Sequence, residues 1–495
     1  MPWSRVREKF RPMKGFMKNS NSAHADSLNS FRGFPPLAGV CSFTESERLG
    51  YGVGEAVMHL KCFHWAMRRT WHILISRIAS EPVYELKMGY SYHAHLLAEQ
   101  VTAMRARVGE MREPPLGLDE CPDAALDAFF DEILSSGTTL ELVAGVYGVA
   151  LPALSADIRR YIQATNPLVD APSVRVLKRA AGDIEVMLEW GRQSIEAAAL
   201  AARNESVTAI NARFASHLAA AGGINGQAER KGEPAPSKPD RPFTYDPEPR
   251  RDERFPDPFN MSVNAEVMLH GDYPDKVKAL MLLYKRIREI DVPEMMASII
   301  MQTPGKPWGY YRDMTRQLWD EARHAMMGQV GFRQLGLDWS KVGIRHTWSY
   351  ELNTLLSPLE RHGVLYFIEQ GLMPKKGKRH EWEVARRSEI PLLATFQDFD
   401  WADEVLHARV GRDWYVKEFP TPTKAVEFGD KAWASIYARR ADYMARGLTR
   451  HKNWWPEFYR HACDVLGLEF DPRIAAYQES DLDTRADLEK MGASA

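Results

Sequence analysis

The stretch DEARHAMMG (320–328) returns as DEVLHARVG (403–411), and both read Asp-Glu-x-x-His-Ala-x-x-Gly. Residues three apart share one face of a helix, so Glu321 with His324, and Glu404 with His407, each present a carboxylate and an imidazole to one point. That donor pair suits iron or manganese. One Glu-x-x-His alone is weak, because the 15 histidines of the chain make about one match expected by chance. Two in register are a different matter, and they require a helical fold that brings the motifs face to face.

The surrounding sequence supplies helices and almost no strand signals, which predicts an all-α fold. Helix-period segments begin at EAVMHLKCFHWAMRRTWHILISRIA (55–79) and YELKMGYSYHAHLLAEQVTAMRARVGEM (84–111). They continue through AALDAFFDEILSSGTTLELVAGVYGVA (124–150) and the run from Ser173 to Asn204. Good helix formers dominate them, and proline-bearing breaks divide them. Residues 1–45 read as a polar arm, 46–221 as a first helical bundle, and 222–262 as a linker rich in proline, glycine and charge. Residues 263–472 form a second bundle with extra C-terminal helices, and 473–495 a polar tail. Within the second bundle the expected helices are Pro274–Gln302, Trp308–Leu335, Ser340–Gly371 and Glu389–Lys417.

A dinuclear carboxylate site in a four-helix bundle needs a Glu-x-x-His from two helices and one glutamate from each of the others. On the first helix, Glu289 lies about 15 residues before the turn at Pro304–Gly305 and Glu321 about 16 after it, so an antiparallel hairpin sets them level. Glu294 is the alternative, nearer the centre of the apolar stripe but offset by roughly 9 Å along the axis unless Pro293 distorts the helix. On the third helix, Glu369 precedes Glu404 at nearly the spacing that separates Glu289 from Glu321, while Gly371, Pro374 and Gly377 end the helix soon afterwards. Glu360 is the alternative there.

With both motifs and these upstream glutamates, residues 274–417 resemble the ferritin-like di-iron carboxylate superfamily, in particular its oxygen-activating oxidases and monooxygenases. The resemblance implies two tandem ferritin-like four-helix bundles, the second holding two iron ions, or an iron–manganese pair, that reductively activate O2. Carried over residue by residue, it makes Glu289, Glu321, His324, Glu369, Glu404 and His407 the metal ligands, with two central glutamates bridging. It further implies that Asp320 and Asp403 each accept the free N–H of the histidine in the opposite motif. Arg323 either pairs with Asp403 or faces outward.

The first bundle departs from that pattern. Placing His95 where His324 falls puts Tyr92 in the position of Glu321, and no histidine lies between His95 and His217, so a second motif is missing. A rival metal site would draw on His59, His64, His72, His93 and His95 on two adjacent helices.

Composition bounds the function. The 495 residues carry 64 Lys plus Arg against 66 Asp plus Glu, with 45% apolar residues, and offer no electrostatic case for a nucleic-acid partner. The four cysteines form no C-x-x-C, so no iron–sulfur or zinc set is suggested and a reducing cytoplasm is expected. No apolar run approaches the roughly 18 residues of a membrane helix. The expected activity is O2-dependent oxidation or oxygenation of an organic small molecule. Because no G-x-G-x-x-G opens a βαβ unit, electrons come from a separate reductase or ferredoxin, or from the substrate. Nothing in the sequence opposes a homodimer. The competing readings are a ferroxidase or iron-handling protein, an RNA-base hydroxylase, and a helical scaffold whose motifs are ion pairs.

Overall fold

A computed structural model describes residues 31–111, 117–202, 206–235, 239–263, 271–373, 377–436 and 440–478, so most of the N-terminal arm and of the C-terminal tail lie outside it. Among the described residues every regular element is a helix and there is no strand. The helices of nine residues or more are α1 (Val53–Ile75), α2 (Tyr84–Gly109), α3 (Ala124–Leu134), α4 (Leu151–Ala164), α5 (Ala171–Ala201) and α6 (Val207–Ala221). They continue with α7 (Asp275–Arg288), α8 (Asp291–Gln302), α9 (Trp308–Gln334), α10 (Thr347–Leu355), α11 (Pro358–Leu372), α12 (Lys378–Arg387), α13 (Pro391–Trp414), α14 (Pro422–Ile436) and α15 (Trp455–Leu466).

Three of the four helices expected around the motifs differ in detail, each for a local reason. The first is two helices: Pro293 lacks an N–H and its ring collides with the carbonyl four residues back, which is that of Glu289. The helix therefore ends at Arg288 and restarts at Asp291, leaving Glu289 as the cap of α7. The third is also two, α10 and α11, because Ser357 accepts the backbone N–H of Glu360 while Glu360 reaches back to Ser357, and Pro358 occupies the first helical position. Ahead of the fourth, a short helix, α12, stands where a loop was expected.

Around the motifs, α9 packs on α7, α8 and α13, while α13 packs on α9, α11 and α12. The first half of the chain is joined to this group through α2, which lies along α9, and one continuous apolar core runs from Ala56 to Ile436. Trp71 donates its indole N–H to Thr315 (3.0 Å), Trp308 donates to Thr102 (2.9 Å), and the ring of Tyr92 lies 4.7 Å from that of Trp319. Each such aromatic, removed from water, contributes about 1.5–3 kcal/mol.

The segment expected to be a spacer is packed. Tyr245 bonds Ser298 (2.8 Å), Phe255 is buried, and the Arg251 side chain, 1% exposed, enters between the halves. There it meets Glu294 (3.1 Å), which Lys87 of α2 also contacts (2.7 Å). Contrary to the expectation that no apolar run is that long, Thr139–Ala164 forms one helical stretch, interrupted by a π-helical turn at Ala144–Ala150, that is long and apolar enough to cross a membrane, yet 67% of its apolar 18-residue window is buried.

Candidate metal centre

The six residues predicted as ligands converge. Two overlapping groups place one donor atom from each member within 4.8 Å of the others: Glu289, His324, Asp400 and Glu404, and Glu321, Glu369, Glu404 and His407. Glu404 belongs to both. Glu321 also spans the centre, with one oxygen 3.5 Å from Nδ1 of His324 and the other 3.0 Å from Nδ1 of His407.

Helix register explains the convergence. Gly328 and Gly411, one turn after each motif histidine, let the partner helices approach. A Cβ at Gly328 would lie 2.4 Å from the backbone nitrogen of Ile287 on α7, and one at Gly411 would lie 2.4 Å from the ring of Tyr366 on α11. These two contacts bring Glu289 level with Glu321 and Glu369 level with Glu404. The terminal glycine of the motif is thus part of its geometry.

Each histidine turns Nδ1 inward and Nε2 outward. Nε2 of His324 is 3.2 Å from Asp403 and Nε2 of His407 is 3.5 Å from Asp320, so each aspartate serves the histidine of the other motif. This is the outer arrangement that fixes a ligand imidazole's tautomer. Arg323 holds both aspartates, reaching Asp403 at 2.7 Å and contacting Asp320, and Arg316 adds a bond to Asp320 at 2.9 Å.

The alternative ligands are used elsewhere. Glu294 is fully buried but belongs to the Lys87–Arg251 network, and Glu360 caps α11. None of His59, His64, His72, His93 and His95 falls in a candidate metal group among the described residues. Instead His93 bonds the hydroxyl of Tyr147 (2.8 Å) and His59 bonds Gln227 (3.1 Å), while burial pushes His64 and His93 down to about 3.

Four residues escaped the sequence reading. Asp400, one turn before Glu404, is fully buried; Arg286, one turn before Glu289, contacts both Asp400 and Glu289 (2.6 Å to the latter). Lys378 at the start of α12 bonds both oxygens of Asp400 (2.9 and 3.0 Å) and one of Glu404 (2.7 Å). Glu381, on the next turn, neutralises Lys285 (2.5 Å). The i, i+4 pairing of Asp400 with Glu404 was a readable signal. Lys378 was not, since nothing local shows which way a short helix in a loop will turn.

Burial and close opposite charges shift the ionisable groups of the centre. Burial would lower His324, but Asp403, Glu289 and Glu321 raise it to about 10, and His407 is likewise held well above its usual value by Asp320, Glu321 and Glu404. Burial and the neighbouring Glu404 push Glu369 well above the carboxylate range, whereas Lys378, Glu369 and His407 overcome burial to hold Glu404 well below it.

Donor chemistry and unmet bonding capacity fit divalent ions here. Glu289 Oε2, His324 Nδ1, Glu369 Oε2, Glu404 Oε2 and His407 Nδ1 are all buried without a hydrogen-bond partner. Buried polar atoms are rarely left so, and five at one point mark a place built for another occupant. A cavity of about 100 Å³ reaches the glutamates; Glu289, Glu321, Glu369 and Glu404 line it with Lys285, Arg288 and Asp291, and Val292, Met295, Trp348, Leu365, Ile368 and Leu372 form its apolar part. Compared with protein families, curated proteins and solved structures, the chain matches none.

Proposed function

We propose that this chain is an O2-dependent oxidase or oxygenase of the ferritin-like di-metal type, acting on a small organic molecule admitted through this cavity. The observation that carries this reading is the set of five ligand atoms without a hydrogen bond on two histidines and three glutamates, the glutamates facing a cavity that Lys285, Arg288 and Asp291 line together with apolar side chains. Glu289, Glu321, His324, Glu369, Glu404 and His407 would hold two iron ions, or iron with manganese, and such a pair supplies the two electrons that O2 reduction needs and no side chain here can give.

The chain's own part is geometric and electrostatic. Asp320 and Asp403 fix the imidazoles, Arg323 bonds both aspartates, and Arg316 bonds Asp320. Trp348, Leu365 and Ile368 exclude water from the reacting face and orient an apolar substrate against the carboxylates. Glu369 lines the cavity, and burial beside Glu404 pushes its carboxyl well above the usual range, so it is placed to hold or pass a proton at that face. A separate reductase or ferredoxin, or the substrate, provides the electrons.

Elemental analysis of protein produced with iron supplementation tests this first: two metal ions per chain are expected. After anaerobic reduction, O2 should elicit a transient near-ultraviolet or visible band in stopped flow. His95→Ala should leave both results unchanged. A metal-free chain with no optical response would make the buried cluster an ion-pair scaffold. Iron uptake far beyond two per chain would favour iron handling.

A further inference from the structure

The two halves of the cluster are not equivalent, and the difference lies in fixed cations. Around His407 the carboxylates are Glu321, Glu369 and the shared Glu404. Among the described residues no lysine or arginine forms an ion pair with Glu321 or Glu369, and Glu369 accepts the amide of Gln317 (3.1 Å). Around His324 they are Glu289, Asp400 and Glu404, and every one carries a cation. Arg286, wholly buried, bonds Glu289 through Oε1 and also Asp400; Lys378, 1% exposed, bonds both oxygens of Asp400 and Oε1 of Glu404. Leaving the shared Glu404 aside, the two carboxyl groups at the His407 position, Glu321 and Glu369, have no lysine or arginine bonded to them among the described residues. At the His324 position, Glu289 and Asp400 are already matched by Arg286 and Lys378. A divalent ion entering the first meets no lysine or arginine on its own two carboxyl groups; one entering the second meets two buried cations in a medium that screens them poorly.

Resting on the metal-binding part of the reading above, we propose that the centre loads in a fixed order: one divalent ion binds tightly at Glu321, Glu369, Glu404 and His407. A second binds at Glu289, His324 and Glu404 with affinity at least tenfold lower, because Arg286 and Lys378 stand in for part of its charge. Asp400 is then the tether of those two cations, a positioning residue, while Oε2 of Glu289 and Nδ1 of His324, 3.4 Å apart and without a hydrogen bond, remain for the second ion. Lys378 sits at the first turn of α12, so this helix sets the strength of the weaker position.

Anaerobic titration of the full chain, stripped by a chelator, with Co2+ followed by calorimetry and visible absorption tests the order. Two resolved steps are expected. His324→Ala should keep the tight step and lose the weak one, and His407→Ala should lose the tight step. Lys378→Gln should strengthen the weak step about tenfold while leaving the tight step in place. One step of two equal ions, or a tight step that follows His324 rather than His407, would overturn the proposal while leaving the di-metal reading intact. An unchanged weak step in a Lys378→Gln protein that still binds the first ion would also overturn it. Failure to bind Co2+ at all would instead remove the di-metal reading itself. The histidine pair decides the order even if the lysine variant does not fold.

Discussion

Asp320 and Asp403 show most directly how single side chains set this centre. Each is one residue before a motif glutamate, yet each bonds the histidine of the other motif, so the two motifs are interlocked rather than parallel copies. Loss of such an outer partner typically lowers metal affinity by about 10–100-fold. Asp403→Asn should therefore weaken the ion held by His324 and Asp320→Asn the ion held by His407, each by roughly tenfold or more, with little change at the other position; metal titration of the two variants checks this. Four of the six converging ligands were legible because a short-range rule, the i, i+3 spacing, carries them. Glu289 and Glu369 were legible only through hairpin register, which is why Glu294 and Glu360 competed with them. Arg286, Lys378 and Glu381 were not recognised, because ion pairs between elements depend on which faces meet, whereas Asp400 was missed although it lies four residues before Glu404.

At the level of helices, proline and glycine decide where ligands arrive. Pro293 breaks the expected long helix and leaves Glu289 at a helix end, and the box formed by Ser357 and Glu360 divides the next one. The sequence S-P-L-E (357–360) carried that second signal in plain form. Gly328 has no such local mark: its role is visible only once the backbone of α7 is known to pass within contact. A methyl group there has no room, since the obstructing atoms belong to the backbone and Cβ of Ile287 and the carbonyl of Leu283. Gly328→Ala should therefore destabilise the protein by about 1–3 kcal/mol in urea unfolding. Gly411→Ala, opposed by a tyrosine ring that can shift, should cost less.

For the molecule as a whole, the deciding group lies away from the centre. Glu294 is buried between Lys87 of the first half, Arg251 of the intervening segment and Ser349 of the second half (2.7 Å). Burial alone would raise its carboxyl, but Arg251 and Lys87 bring it down to about 2 from an ordinary 4.5. A carboxylate whose folded value is depressed contributes stability that is complete above about pH 4.5 and is lost as pH falls toward 2. In denaturant titrations the advantage of the native protein over Glu294→Gln should accordingly be greatest near neutrality and shrink through that window. Lys87→Met, which strands part of the charge on Glu294, should cost about 3 kcal/mol at pH 7. The all-helical character was legible from composition and period, whereas this union of the halves was not, because the proline-rich composition of residues 239–263 masks how closely they pack.

That union limits how the protein can be cut. A fragment beginning at residue 263 would retain every residue of the metal cluster yet carry Glu294 without either of its cations, and would bare the surface of α9 that α2 now covers. The ligand-bearing portion is therefore no transplantable cassette: to excise it intact, one must bring along Arg251 and the helix that holds Lys87.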